Sequence, residues 1–376
     1  MTEPVIDLDA NATTRTWPEV AECVARHLRE TTGNPGSRHV LGRRARRVLE
    51  TSRESIASIL GAEPDELLFT SGGTEANNLA VFGLPRGSHG TIALSPGEHP
   101  SVNEACTVLQ QRGYKLHRFP VDADGRIQLE APWPEVKLCC VLWGHNETGI
   151  IQNVPAISDT CRSHGVPLHL DGVQVVGKLP VDFHATGAAA LSFGAHKFHG
   201  PRGIGGLLIR QGTRLTPSLV GGFQEQGKRA GTEPVALVAG MALALELWQR
   251  DQEARTQTLT RLRDRLQSRL VEQCPFAVVH AAEAPRLPNT LNIAFPGIDG
   301  EALLVALDLA GVCASLGSAC ASGSTEPSPI LVAMGCDPAV YRSSLRLSVS
   351  VFNTMEGIDH AVDVIATTVA KLRVES

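Results

Sequence analysis

The chain has 376 residues, 43% of them apolar and 19% charged, with a formal net charge of −5. That length suits two or three domains of ~150 residues around a sizeable core. The mildly acidic balance excludes a global field for nucleic acid or an anionic membrane surface. The start, MTEPVIDLDA, has no signal-type apolar stretch. The longest nearly apolar run, residues 234–248, falls short of the ~20 needed for a bilayer span. The nine cysteines are odd in number and contain no CxxC. A disulfide framework and a metal site are both disfavoured, and a cytoplasmic protein without membrane or nucleic-acid contact is expected.

In chain order, RRARR (43–47) puts four arginines within about one helical turn, as on a solvated helix face or, less commonly, against an anionic partner. From about residue 45 to 210 short apolar runs alternate with helical stretches. The runs are ELLFT (66–70), GTIALSP (90–96), KLCCVLW (137–143), VPLHLDG (166–172), AALSFG (189–194) and GGLLIR (205–210). Between them lie amphipathic segments such as residues 101–113 and 155–165. This β-α-β-α order predicts a mostly parallel sheet with helices on both faces. Cys139 and Cys140 fall in an apolar run and read as core. A long helical region follows over 234–273, with Leu259, Leu262, Leu266 and Leu270 at helical spacing. A strand (290–295), a helix (299–311), a strand (344–350) and a last helix (356–373) suggest a smaller α+β domain.

Three segments of the α/β region could carry chemistry. FTSGGTEANN (69–78) is a strand, a Gly-rich turn and a helix start, where backbone N–H groups and the helix dipole favour an anion. It lacks the lysine of a P-loop, so a single phosphate fits better than a nucleotide. HLDGVQ (169–174) puts Asp171 at the carboxyl end of a strand, where ligands bind in such sheets; a helix cap is the plainer reading. SFGAHKFHGPRG (192–203) holds Lys197, one of six lysines, just after an apolar strand. Desolvation there makes an amine nucleophilic, though most lysines are simply exposed. A phosphate cradle, a strand-end acid and such a lysine together suit pyridoxal phosphate.

A fourth segment, SLGSACASGSTEPS (315–328), sets Cys320 among small polar residues with no apolar periodicity. That composition predicts a mobile loop. A thiol there suits a nucleophile that must travel better than a core or metal ligand.

With these motifs the sequence resembles the cysteine desulfurases of the nitrogen-fixation and iron–sulfur-cluster type, within the class V aminotransferase family. The resemblance also runs through LDANATTR (8–15), GNPGSRHVLGR (33–43), EHPSV (98–102), HNETGIIQ (145–152), DGVQVVGK (171–178), GGFQEQGKRAGTE (221–233) and SLRLS (344–348). It implies an α/β fold of the type I pyridoxal-phosphate-dependent transferases. A mostly parallel sheet of the seven-stranded type would lie in a large domain, residues 16–255. A small α+β domain, residues 1–15 and 256–376, would carry the Cys320 loop.

The resemblance further implies that Lys197 holds the cofactor covalently, Asp171 pairs with its ring nitrogen and Gln174 bonds the ring oxygen. His99 would stack on the ring and move protons. Gly73 and Thr74 would hold the phosphate with His196 beside it, and Thr232 would reach the phosphate of a partner subunit in a homodimer. Arg346 and Asn146 would bind the substrate carboxylate, with Asn11 also at the substrate and Asn146 also at the cofactor. Cys320 would take sulfur from L-cysteine as a persulfide, release L-alanine and pass the sulfur to an acceptor protein. A C–S or C–Se lyase or an aminotransferase would keep the cofactor without needing Cys320, and a non-enzymatic scaffold would need neither Cys320 nor Lys197. The chain departs from the family pattern at Gly194, usually Ser, and at Trp143, His145, Phe223 and Gln226. Gly194 lacks the hydroxyl that the family's Ser donates to the phosphate, and aromatic bulk near a site can change what fits.

Overall fold

A computed structural model describes residues 5–129, 133, 135–316 and 327–374. Its centre is a seven-stranded sheet. Across the sheet the strands run Leu67–Thr70, Gly205–Ile209, Ala190–Gly194, Leu168–Asp171, Val136–Leu142, Gly90–Leu94 and Tyr114–Arg118. All neighbours are parallel except Gly205–Ile209, which is antiparallel to both strands beside it. Six strands coincide with the apolar runs. The seventh, Tyr114–Arg118, is an edge strand with only Tyr114 buried. One paired side leaves too little burial for a continuous apolar signature, so YKLHR gives no strand signal.

Both faces of the sheet are covered, as the unbroken apolar runs require. Successive side chains alternate between two cores: Cys139, Val141, Leu168 and Leu170 belong to one, and Leu138, Cys140 and Ile92 to the other. Cys139 and Cys140 are fully buried on opposite faces. The helices Pro100–Gln111 and Val154–Ser163 fall on the expected amphipathic stretches. RRARR lies on the helix Val40–Ile59 with its four arginines exposed and Ala45 buried.

The region 234–273 is two helices, Val235–Arg250 and Gln252–Gln273, interrupted at Asp251. Leu259, Leu262, Leu266 and Leu270 are all buried. They pack with Ile6 and Leu8 from the start of the chain and with Leu291, Leu345 and Ile365 from its end, in a core of their own. This core carries an antiparallel sheet of Val278–Val279, Thr290–Ala294 and Ser344–Ser348. A short parallel pair joins Ile6–Asp7 to Val312–Cys313. Among the described residues no helix is long and apolar enough to cross a membrane.

Candidate active site

The carboxyl ends of the parallel strands open into a cavity of about 710 Å³. Its floor is set by the sheet. Gly73 begins the helix Gly73–Gly83, whose first turn has no side-chain cap, so its backbone N–H groups face the cavity that Gly73 and Thr74 line. A Cβ on Gly73 would stand 2.6 Å from Val173, so only glycine allows this approach. Asp171 ends its strand nearby, 1% exposed. One carboxylate oxygen accepts from Val173 N at 3.0 Å and the other from Asn77 Nδ2 at 2.7 Å. Asp171 thus both caps the following turn and presents a buried carboxyl group to the cavity.

Lys197 is half-buried on the turn after Ala190–Gly194. Its Nζ donates to the backbone oxygens of Asn11, at 2.6 Å, and Ala12, at 2.9 Å. Burial, and then the Arg346 charge, lower its pKa to about 8 against the pull of Asp171 and Asp9. His196 beside it is held neutral, with burial lowering its pKa to about 4.

His99 caps the helix Pro100–Gln111. Its Nδ1 accepts from Ser101 N at 3.1 Å and lies 2.7 Å from Ser101 Oγ. Ser101 Oγ in turn accepts from Asn77 Nδ2 at 2.9 Å. Asn77 therefore ties His99, through Ser101, to Asp171. The backbone donor at Nδ1 puts the ring proton of neutral His99 on Nε2. Burial lowers the pKa of His99. The adjacent Glu98 is buried; it accepts from Leu142 N at 2.7 Å and contacts Ser95 Oγ. Burial is the main cause that raises its pKa to about 8, and the Asp171 charge adds to it. Glu98 therefore carries its proton at neutral pH.

The opposite wall comes from the second core and the chain start. Arg346, 5% exposed, donates from Nη2 to Asp9 Oδ1 at 2.6 Å and from Nη1 to Asn146 O at 3.3 Å. Burial raises the pKa of Asp9 in spite of Arg346. Asn11 Nδ2 donates to Asn146 O, at 3.1 Å, and to Thr290 Oγ1, at 2.8 Å. Gln174 donates from Nε2 to Asn11 O at 2.9 Å.

All but two of the residues expected at the site line this one cavity. Thr232 is exposed and stands outside it. Cys320 lies outside the described residues; Ala314 and Ser315, shortly before it, form part of the cavity wall. Asp9, Asn77, Glu98 and Ser101 were not anticipated. Each sits one to three residues from a residue the motifs single out, but only the fold reveals what it bonds.

The departures fall elsewhere than expected. Trp143, His145 and Phe223 do not line the cavity. His145 is buried beneath a turn, where Nδ1 accepts from Glu147 N and Thr148 N and Nε2 reaches Gly97 O at 3.1 Å. Phe223 and Gln226 flank buried Glu225, which holds their exposed turn by accepting from Arg53 at 2.7 Å. Gly194 is the departure that touches the cradle: a Cβ there would meet Gly73 N at 3.3 Å.

The chain matches the family described as "Aminotransferase class-V" over residues 6–361. It belongs to that family. Within the class V aminotransferases it is 39% identical over 377 residues to "Cysteine desulfurase" of Trichormus azollae, covering 98% of this chain and 94% of the relative. It is 39% identical over 373 residues to "Cysteine desulfurase NifS" of Azotobacter vinelandii, covering 97% and 93%. Among solved structures, a "NIFS-LIKE PROTEIN" superposes with a TM-score of 0.90 at 32% identity, covering 98% of this chain and all of the other. The fold is that of the type I pyridoxal-phosphate enzymes, and the class V cofactor is pyridoxal phosphate. The cavity suits it: an uncapped helix start for a phosphate, a buried carboxylate for a cationic ring nitrogen and a lysine of lowered pKa. Asn146 Oδ1 and Arg346 Nε are buried without hydrogen-bond partners among the described residues, as expected where a polar ligand completes the wall.

Proposed function

We propose that the chain is a pyridoxal-phosphate-dependent cysteine desulfurase, converting L-cysteine to L-alanine and leaving the sulfur as a persulfide on Cys320 for an acceptor protein. The observation that carries this is the exit of the chain towards Cys320 from Ala314 and Ser315, in the wall of the cavity that holds Lys197 and Asp171. A thiol carried by that segment is tethered to the reaction chamber.

Gly73, Thr74 and His196 hold the phosphate, and Lys197 the carbonyl carbon. Asp171 faces the ring nitrogen and a Gln174 N–H the ring oxygen. When bound, the cofactor supplies an electron sink for the pair left as the substrate Cα loses its proton. The substrate carboxylate is taken by Arg346, Asn146 and Asn11. Lys197, with its pKa near 8, takes and returns protons close to neutral pH. His99, oriented through Ser101 and Asn77, would meet the cofactor ring and move protons. The Cys320 thiolate attacks the substrate sulfur: an S–S bond forms, the C–S bond breaks and its electron pair stays with carbon. A proton then completes alanine.

Thr232 acts at the partner's cofactor in a homodimer. Its exposed position, on a stretch that also exposes Leu219, Val220 and Phe223, supports this. The large unit spans 16–255 and the small unit 1–15 and 256–376, with the site between them. The eight described cysteines are free thiols, which suits a cytoplasmic compartment.

The test pairs wild type with Cys320→Ser, both loaded with pyridoxal phosphate and given L-cysteine. The expected result is cofactor absorbance in both, with alanine and a protein persulfide from wild type alone. Alanine at the wild-type rate from Cys320→Ser would instead favour a lyase.

A further inference from the structure

Lys178 lies at the end of DGVQVVGK and is 4% exposed. It does not line the large cavity. Its Nζ donates to Gln174 Oε1 at 2.5 Å and to Asn11 Oδ1 at 2.9 Å. Both partners are neutral amides, and no described carboxylate pairs with this amine. Burial, then Lys197 and Arg346, push its pKa well down. A buried amine in such a place is a liability for stability, and an apolar side chain would fill the space at lower cost. Its position therefore calls for a role beyond packing.

The role follows from donor and acceptor inventory. An amide side chain has one accepting and one donating end, and its orientation is set by its neighbours. Charged or neutral, Lys178 donates to Gln174 and so claims the amide oxygen. The NH2 end must then point the other way. One N–H goes to Asn11 O at 2.9 Å, leaving the second for the cavity that Gln174 lines. Asn11 is held in the same manner: its oxygen takes Lys178 and Asn289 Nδ2, at 2.9 Å, which turns its own NH2 toward Asn146. Without Lys178 only the single bond from Gln174 Nε2 to Asn11 O opposes the amide turning over and presenting its carbonyl to the cavity.

We propose that Lys178 is a positioning residue that fixes the Gln174 amide with its N–H toward the cavity, as a donor for the anionic ring oxygen of the cofactor. This rests on the pyridoxal-phosphate reading above. The charged and titratable groups facing that end are Lys197, Arg346, Asp9, Asp171 and His99, and the variants below leave them all in place.

The experiment follows the visible absorbance of the loaded protein against pH without substrate, and the Kd of each apoprotein for pyridoxal phosphate. It compares wild type, Lys178→Met, Gln174→Leu and the double variant, with near-ultraviolet circular dichroism to check folding. A donor to an anionic oxygen favours its unprotonated form, so losing the donor raises the pH midpoint, by ~1 unit. Each single variant is expected to raise the midpoint and weaken binding, and Lys178→Met to add nothing once Gln174 is Leu.

A wild-type midpoint in Lys178→Met while Gln174→Leu is shifted overturns the proposal. Fully additive shifts in the double variant overturn it as well, since Lys178 would then act by another route. If Gln174→Leu leaves the midpoint unmoved, the ring-oxygen contact and the proposal fall together while the cofactor assignment stands. A wild type without a visible band in added pyridoxal phosphate overturns the cofactor assignment itself. Should Lys178→Met not fold, Lys178→Leu takes its place under the same criteria.

Discussion

The two walls of the cavity are built in opposite ways. The Asp171 wall is local: a strand end, a helix start and a turn on one sheet, with buried Glu98 behind it. The Arg346 wall is a seam between distant parts of the chain. Arg346 meets Asp9 across 337 positions, and Asn11 meets Thr290 across 279. The first arrangement holds Asp171, Gly73 and Lys197 at the ends of elements of one sheet. The second sets Arg346, Asn146 and Asn11 where two cores meet, so their geometry depends on how the cores dock. Substitutions in the first wall should act on chemistry and on pH response, and those in the second on substrate binding.

The largest effect expected from breaking this contrast concerns Glu98. Its pKa rises from 4.5 to about 8 on folding. The native state thus keeps a proton that the unfolded chain loses above 4.5. Stability from this group is fully present below that pH and declines as pH rises through about 8. Glu98→Gln should remove this decline, a difference on the order of 4 kcal/mol between pH 5 and 8. Urea unfolding at several pH values measures it, and parallel curves for the two proteins would refute it.

Next in size is Arg346→Leu. It should raise KM for L-cysteine by roughly 10- to 100-fold, about 1.5–3 kcal/mol for hydrogen bonds to a charged group, with a smaller change in kcat. A kcat loss with unchanged KM would move Arg346 into the chemical wall and erase the contrast.

The smallest effect is that of Ser101→Ala. Loss of the hydroxyl link between His99 and Asn77 should cost about 1 kcal/mol, roughly five-fold in kcat, with KM unchanged. An altered KM alone would show that His99 serves binding rather than proton movement.

The same contrast explains what was legible beforehand. Asp171, Lys197 and the Gly73 turn are each announced by an apolar strand that stops at a chemically distinctive residue, so strand order alone brings them together. Asn11, Asn146 and Arg346 carry no such signal; they were reached through the family resemblance. Asp9 was missed beside Asn11 because its partner is at the far end of the chain. Glu98 was missed because its raised pKa comes from burial, which no spacing encodes. The sequence leaves open whether Trp143 and His145 bear on the site; neither lines the cavity. Alternation along a strand and a turn decides which way they face, and that lies beyond a one-dimensional motif.

The pairing of Asp9 with Arg346 also imposes an order on synthesis. A ribosome releases the chain from its amino end at ~5–20 residues per second. The residues from the Gly73 turn to Lys197 emerge well before Ser344–Ser348, so the sheet wall can form while the chain is still growing. Asp9 and Asn11, made earlier than the sheet residues, must wait for Ser344–Ser348. A nascent chain can therefore complete the Asp171 wall before the Arg346 wall, and a truncated product that stops before Arg346 would lack the second wall's guanidinium altogether.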